Sequence, residues 1–369
     1  MSASAASDQP AAAVAPLVAD PAHEIRITAL SGTRGANFWS RRPVTRMDLV
    51  VGAFEDISSA DVPGLTDRLV GTMPGLVEHR CSIGSRGGFV TRLRRGTYAP
   101  HIIEHIALEL QTMVGHDVGY GRTRGGDIEG EYTLVFEHMH EAVGLRSAAL
   151  ALDAVQQAFA GTLDTVEYAT TELEALAAMP DSSPLVQRVL CGITGGAGRR
   201  DTRTELARLI DVSSDVVVDV APSYVLQAGL PYARSGMAII LDSKPTDVPL
   251  RYQEEERARR LVSVVIDAVD RDGWVIVPAK EWEIQDAARD DGCKVAIFAD
   301  HDRITSRDKK VAAAVAWVED ERLFIDHNGE LTDAGRVRRD TPAGPQAAAA
   351  LAALVLGRSR SSVNAASTR

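Results

Sequence analysis

Two prolines lie within one polar stretch, Met179-Pro180-Asp181-Ser182-Ser183-Pro184, and they divide the chain into halves with different patterns. Proline fixes its own φ, has no N–H to donate and pushes the residue before it out of the helical region. No helix or central strand therefore runs through this stretch. The 369 residues leave room for a domain on either side, at roughly 100–200 residues each.

Before the break, strand and helix signals are segregated. Residues 24–30 alternate as a strand, 47–51 form an apolar run, and 61–73 show helical spacing that stops at Pro74-Gly75. A turn, Gly84-Ser85-Arg86-Gly87-Gly88, leads into the apolar residues 89–93. Pro100 then opens a helix whose body is 101–114 and whose stop is Gly115. A strand at 132–137 precedes an Ala/Leu helix at 141–160. This pattern predicts an α+β domain. After the break, β-branched runs at 189–193, 216–220, 237–241, 274–277 and 295–298 alternate with helical stretches. Such continuous apolar runs predict a parallel sheet in a small α/β domain. The expected organisation is a disordered Ala/Ser/Pro-rich tail at 1–22, a first domain at 23–165 and a linker at 166–186. A second domain at 187–357 and a basic, Ser-rich tail at 358–369 complete it.

Composition excludes several classes of function. Forty basic against 51 acidic residues give a net charge of −11, which argues against a nucleic-acid binder that depends on a basic surface. No apolar run approaches the roughly 20 residues of a membrane span. The first residues lack the basic and apolar regions of a secretion signal. The three cysteines, Cys81, Cys191 and Cys293, are too far apart for a disulfide framework. A cytoplasmic protein is expected.

The pentapeptide His101-Ile102-Ile103-Glu104-His105 carries the chemistry. One helical turn apart, its two imidazoles share a face and can hold one metal ion, with Glu104 in the adjoining sector. H-x-x-E-H inverts the zinc-protease motif, in which the carboxylate takes the proton of an attacking water. The reading is Zn²⁺, or another divalent metal, held by His101 and His105 with Glu104 as general base. A third ligand is sought in Glu137-His138-Met139-His140-Glu141; Glu137, closing a strand, is preferred and Glu141, opening a helix, is the alternate. Glu109, one turn beyond His105, is placed to orient it.

Around that helix, Arg34-Gly35-Ala36-Asn37-Phe38-Trp39-Ser40, Cys81-Ser82-Ile83-Gly84-Ser85-Arg86-Gly87-Gly88-Phe89, Gly96-Thr97-Tyr98 and Gly119-Tyr120-Gly121-Arg122-Thr123-Arg124 stand in a fixed order. From about residue 25 to 152 the chain resembles the N-terminal domain of cyanophycin synthetases. These build a polymer of β-aspartate with arginine branches from ATP, aspartate and arginine. The resemblance implies that the H-x-x-E-H helix is a metal site, because in some members this domain cuts the polymer. The second half more faintly resembles their Mur-ligase-like domain. Gly192-Ile193-Thr194-Gly195-Gly196-Ala197-Gly198-Arg199-Arg200 stands at the phosphate loop, but Arg199 and Arg200 replace the Lys and the Ser/Thr that such a loop needs. Val262 stands where the family has a lysine, and Pro278-Ala279-Lys280 replaces Asn-Ala-Asp. Only about 30 residues separate the halves, so the family's ATP-grasp domain is expected to be absent. No ATP is expected to bind.

Arg86 and Arg122, inside the matched turns, are expected to bind substrate carboxylates through guanidinium forks. Trp39 and Phe89 read as core or pocket walls, Cys81 as structural, and His116-Asp117 and Asp300-His301-Asp302 as solvated turns. The expected function is metal-dependent hydrolysis of a cyanophycin-like polymer, a β-aspartyl-arginine oligomer or a related amide. The alternative is a non-catalytic partner or polymer-binding protein beside a separate cyanophycin synthetase, and an active ATP-dependent ligase ranks last. A homo-oligomer is compatible with either; nucleic acid and membrane are not expected partners.

Overall fold

The computed structural model describes residues 19–181, 185–299 and 304–366, with side chains as far as Gly357. The Asp300-His301-Asp302 turn and most of the expected N-terminal tail lie outside the described residues. The chain forms two compact units. The first runs to Gly32 and resumes at Thr45–Ser182, and the second joins Thr33–Val44 to the residues beyond the hinge.

The first unit opens with a one-turn helix α1 (Pro21–Glu24), capped by the Asp20 carboxylate. Strands β1 (Arg26–Thr33) and β2 (Val44–Val50) follow, and then helices α2 (Leu65–Thr72), α3 (Gly88–Arg95) and α4 (Ala99–Met113). The hairpin β3 (Gly121–Gly125) and β4 (Glu131–Glu137) leads to helices α5 (Glu141–Ala160) and α6 (Glu167–Ala177). The sheet order is β1-β2-β4-β3, with β3 antiparallel to β4. Strand β2 shows the period of two: Met47 and Leu49 are buried, while Arg46 and Asp48 on the alternate positions pair at 2.9 Å.

Helix α4 is the axis of this unit. Pro100 sits in its first turn, and from Ala99 to Gln111 every residue is buried except half-buried His101. It packs against α5, β3 and β4, so its polar residues are enclosed by the fold instead of facing water. The apolar residues 89–93 are helical, in α3, because Phe89, Val90 and Leu93 recur on one side at helical spacing. Within the segment expected as a linker, α6 forms and buries Ala169 and Leu173 in the same core. Its apolar spacing was outweighed in the sequence by the nearby prolines.

The second unit contains strands and helices in the order β5 (Val186–Thr194), α7 (Arg199–Ile210), β6 (Val217–Asp219), α8 (Pro222–Ala228) and β7 (Tyr232–Ile240). Next come α9 (Glu255–Ser263), β8 (Val269–Pro278), α10 (Trp282–Asp290), β9 (Lys294–Ala299) and α11 (Ser306–Val311). Strands β10 (Ala314–Glu319), β11 (Arg322–His327) and β12 (Glu330–Arg336) lead to helix α12 (Ala343–Ala366). The eight strands order as β12-β11-β10-β9-β8-β7-β5-β6, parallel from β6 to β10 and antiparallel at β11 and β12. Neighbouring residues feed opposite faces: Val275 and Val277 enter one core, Trp274 and Ile276 the other. A sheet covered on both faces needs apolar residues at every position, as the continuous runs predicted. Among the described residues, no helix is long and apolar enough to cross a membrane.

Candidate metal centre

Helix α4, the segment at residues 75–82 and the start of β3 build one cleft of about 960 Å³, lined by Cys81, Arg92, His101, Glu104, His105 and Arg122 among others. Cys81 enters it from a left-handed backbone position, φ 51°, uncommon for a residue with a Cβ. Its Sγ lies 3.4 Å from His101 Nε2. One ligand atom each from Cys81, His101 and His105 can be chosen so that all three lie within 4.8 Å of one another.

Hydrogen bonds orient both imidazoles. His101 Nδ1 lies 2.8 Å from Thr97 Oγ1, so with Nδ1–H donating to the hydroxyl the Nε2 lone pair faces Cys81. His105 Nδ1 lies 2.8 Å from His79 Nδ1, and His79 Nε2 lies 3.0 Å from Glu109 Oε2. The carboxylate accepts from His79 Nε2–H, which leaves His79 Nδ1 to accept from His105 Nδ1–H. His105 Nε2 is then bare. Phe89 stacks on His105 with centroids 3.9 Å apart and planes 19° apart, which holds the ring's tilt. Burial, with help from the Arg92 charge, lowers the His101 pKa to about 4. Burial and the neighbouring His101 and His79 lower that of His105 to about 2. Both rings are neutral near pH 7, the state in which imidazole binds a metal. One sulfur and two nitrogen donors suit zinc, whose catalytic sites keep three protein ligands and an open position.

Glu104 sits beside these ligands and outside their set. It is 5% exposed, and burial raises its pKa to about 7 against the opposing bond from Thr123. The Thr123 hydroxyl donates to Glu104 Oε2 at 2.5 Å. Across the cleft, a Cβ on Gly121 would stand 2.5 Å from Glu104 Oε1, so only glycine lets β3 pass this close.

The third ligand expected from the sequence is not where the metal would be. Glu137 Oε2 accepts from the amides of Gly119 and Tyr120 at 3.4 and 3.3 Å. Its own carbonyl accepts from Gln111 Nε2 at 3.0 Å. Gln111 follows His101 by ten residues, roughly 15 Å along a helix axis. The end of β4 therefore meets the far end of α4. Glu141, at the start of α5, lies against Gly32 and is not part of the cleft lining. Cys81, expected to be structural, supplies instead the third donor atom close to His101 and His105. Glu109 acts on His105 through His79, an intermediary the sequence did not suggest.

The two predicted arginines separate. Arg122 on β3 lines the cleft. Arg86 is exposed outside it, with Nε donating to Glu78 at 2.9 Å. Arg80 and Arg92 line the cleft instead.

In the second unit, the glycine loop after β5 is closed on itself. The amides of Gly196 and Lys244 both donate to Asp242 Oδ1 at 2.8 Å. The Arg199 guanidinium turns back to the carbonyls of Gly195 and Gly196.

The model of the cyanophycin synthase-like N-terminal domain matches residues 46–160, which span the cleft and its helix. The cyanophycin synthetase of Synechocystis sp. is 43% identical over 148 residues, covering 38% of this chain and 16% of that protein. That of Crocosphaera subtropica is 42% identical over 143 residues, with the same coverage of 38% and 16%. The chain thus spans about a sixth of these relatives. Among solved structures, MurF from Acinetobacter baumannii aligns at a TM-score of 0.33 and 15% identity, over 63% of this chain and 50% of that one. A UDP-N-acetylmuramoyl-L-alanyl-D-glutamate–2,6-diaminopimelate ligase aligns at 0.35 and 11%, over 58% and 54%.

Two substitutions probe how the domain builds its cleft. His79→Ala strands both His105 Nδ1–H and Glu109, and metal affinity is expected to fall about 10–100-fold, read by competition with a chromophoric chelator. At Gly88, a Cβ would meet the Arg80 carbonyl oxygen at 1.9 Å and its carbon at 2.8 Å. Both atoms are backbone and cannot swing away. Gly88→Ala is expected to cost about 1–3 kcal/mol in urea unfolding and to displace the turn that carries Cys81.

Proposed function

We propose that this protein is a metal-dependent amide hydrolase that cuts a cyanophycin-like β-aspartyl-arginine polymer, or oligomers of it, in the cytoplasm. The observation that carries this reading is Glu104: a buried carboxyl with its pKa raised to about 7, lining the same open cleft as the three converging side chains. A structural metal site has no use for such a group, whereas a hydrolase needs a base poised near the working pH.

Cys81, His101 and His105 would hold the metal. When bound, such an ion polarises a carbonyl and makes water a stronger nucleophile. Glu104 takes the proton from the attacking water and passes it to the leaving amine. Thr123 holds Glu104 Oε2, leaving Oε1 for the proton. Arg122 and Arg92 would bind substrate carboxylates, because guanidinium forks match carboxylates in two parallel bonds. We take the second unit to bind no ATP, with Asp242 and Arg199 filling the loop where phosphates would lie. A separate cyanophycin synthetase would use the fragments.

The test is metal analysis of the purified full chain, coupled to amine release from cyanophycin with and without chelator. About one catalytic zinc per chain and chelator-sensitive cleavage are expected. Polymer binding without cleavage, in a metal-loaded chain, would overturn the hydrolase and favour a polymer-binding protein.

A further inference from the structure

The cleft carries an uneven set of charges. Residues 80–124, which supply most of its wall, hold seven arginines, no lysine and three acids, in a chain whose net charge is −11. Two of those acids are the buried Glu104 and Glu109. Among the described residues, Arg80, Arg92 and Arg122 line the cleft, are exposed, and make no side-chain hydrogen bond or ion pair. The acids that line it are all engaged. Glu104 accepts from Thr123, Glu109 from His79, and Glu78 from Arg86. Tyr98, Tyr120 and Tyr132 add rings and hydroxyls to the wall but no charge near neutral pH. The cleft thus offers free cations to a ligand and no free carboxylate.

We propose that the cleft reads the free carboxylates of its substrate and leaves the cationic branches in solvent. This deepens the hydrolase reading and rests on it. Each branch of a β-aspartyl-arginine chain carries both charges: an arginine joined through its α-amino group keeps its α-carboxylate and its guanidinium. A guanidinium fork on the protein matches the carboxylate in two parallel bonds and has nothing with which to accept from another guanidinium. A cationic branch entering among Arg80, Arg92 and Arg122 meets like charge, with no free acid in the wall to offset it. The chain therefore lies with its carboxylates towards these three side chains. The nature of the cationic branch is then not a determinant of binding, and the α-carboxylate is. Because the three side chains are exposed, their attraction reaches into water, raises the rate of capture and is weakened by salt.

The test is binding of fluorophore-labelled tetramers to the full chain, read by anisotropy. A β-aspartyl-citrulline tetramer replaces each guanidinium by a neutral urea of the same shape and keeps the carboxylate. A β-aspartyl-argininamide tetramer keeps the guanidinium and loses the carboxylate. On the unmutated chain, the citrulline tetramer is expected to bind at least as tightly as the β-aspartyl-arginine one, and the argininamide tetramer about 10-fold or more weakly. Arg80→Gln/Arg92→Gln/Arg122→Gln should weaken binding of the first two and remove most of its salt dependence. An argininamide tetramer that binds as well as the arginine one, a citrulline tetramer that binds about 10-fold worse, or no binding by any of the three would overturn the proposal. So would a triple variant that binds the arginine tetramer as tightly as the unmutated chain. Binding requires no bond cleavage, so the two readings fail separately. Tetramers that bind in the expected order and are never cut would remove the hydrolase alone, and cutting of all three with equal kcat/KM would remove only the carboxylate selectivity.

Discussion

Glu104→Gln is expected to keep its metal and to lower kcat for amide cleavage by about 10²–10⁴-fold. The amide matches the carboxyl in size, and its oxygen still accepts the Thr123 hydroxyl bond that fixes Oε2. The close approach of Gly121 is also unchanged. The missing property is basicity: an amide does not take a proton from water near neutral pH. Because Glu104 lies outside the Cys81–His101–His105 set, zinc content should equal that of the wild type. Single-turnover cleavage with metal analysis on the same sample decides the matter. A variant that cleaves at the wild-type rate would show that the proton goes elsewhere.

Much of this was legible from the sequence because it is local. Proline at 100, glycine at 115 and two histidines at i and i+4 define the helix and one face of it. The parallel sheet was legible for a similar reason: burial on both faces leaves continuous β-branched runs such as residues 189–193 and 295–298. The antiparallel edge at β11 and β12 was not, because Arg322, Asp326 and Asp333 interrupt the apolar signal on strands with a solvated side. That Cys81 stands beside the two imidazoles was not legible, because it depends on tertiary direction. Glu137 and Glu141 are plausible by residue type, but β4 meets the far end of α4, and no local pattern records which end. Cys81 reaches the site through a left-handed turn, and its own φ is invisible in a sequence. His79 in a short turn carried no signal. Its role exists only because the fold sets it between His105 and Glu109.

Cys81 stands at the branch between two chemistries, and its replacement has the second large effect. Its thiol is 3.4 Å from His101 Nε2 while Thr97 holds the other nitrogen of that ring. That is the arrangement of a metal ligand and also of a cysteine nucleophile beside its base. His105 breaks the tie. A Cys–His pair has no use for a second imidazole held neutral, relayed to Glu109 and stacked on Phe89, while a metal requires one. Loss of an ordering partner outside the ligand set costs about 10–100-fold in metal affinity, so loss of the thiolate itself should cost about 100-fold or more. Cys81→Ser is therefore expected to purify with its cleft nearly free of zinc and inactive, and to recover activity when zinc is added in excess, because its hydroxyl can still complete a weak site. A nucleophilic cysteine predicts the opposite: wild-type cleavage that survives chelator, and a serine variant that zinc does not rescue.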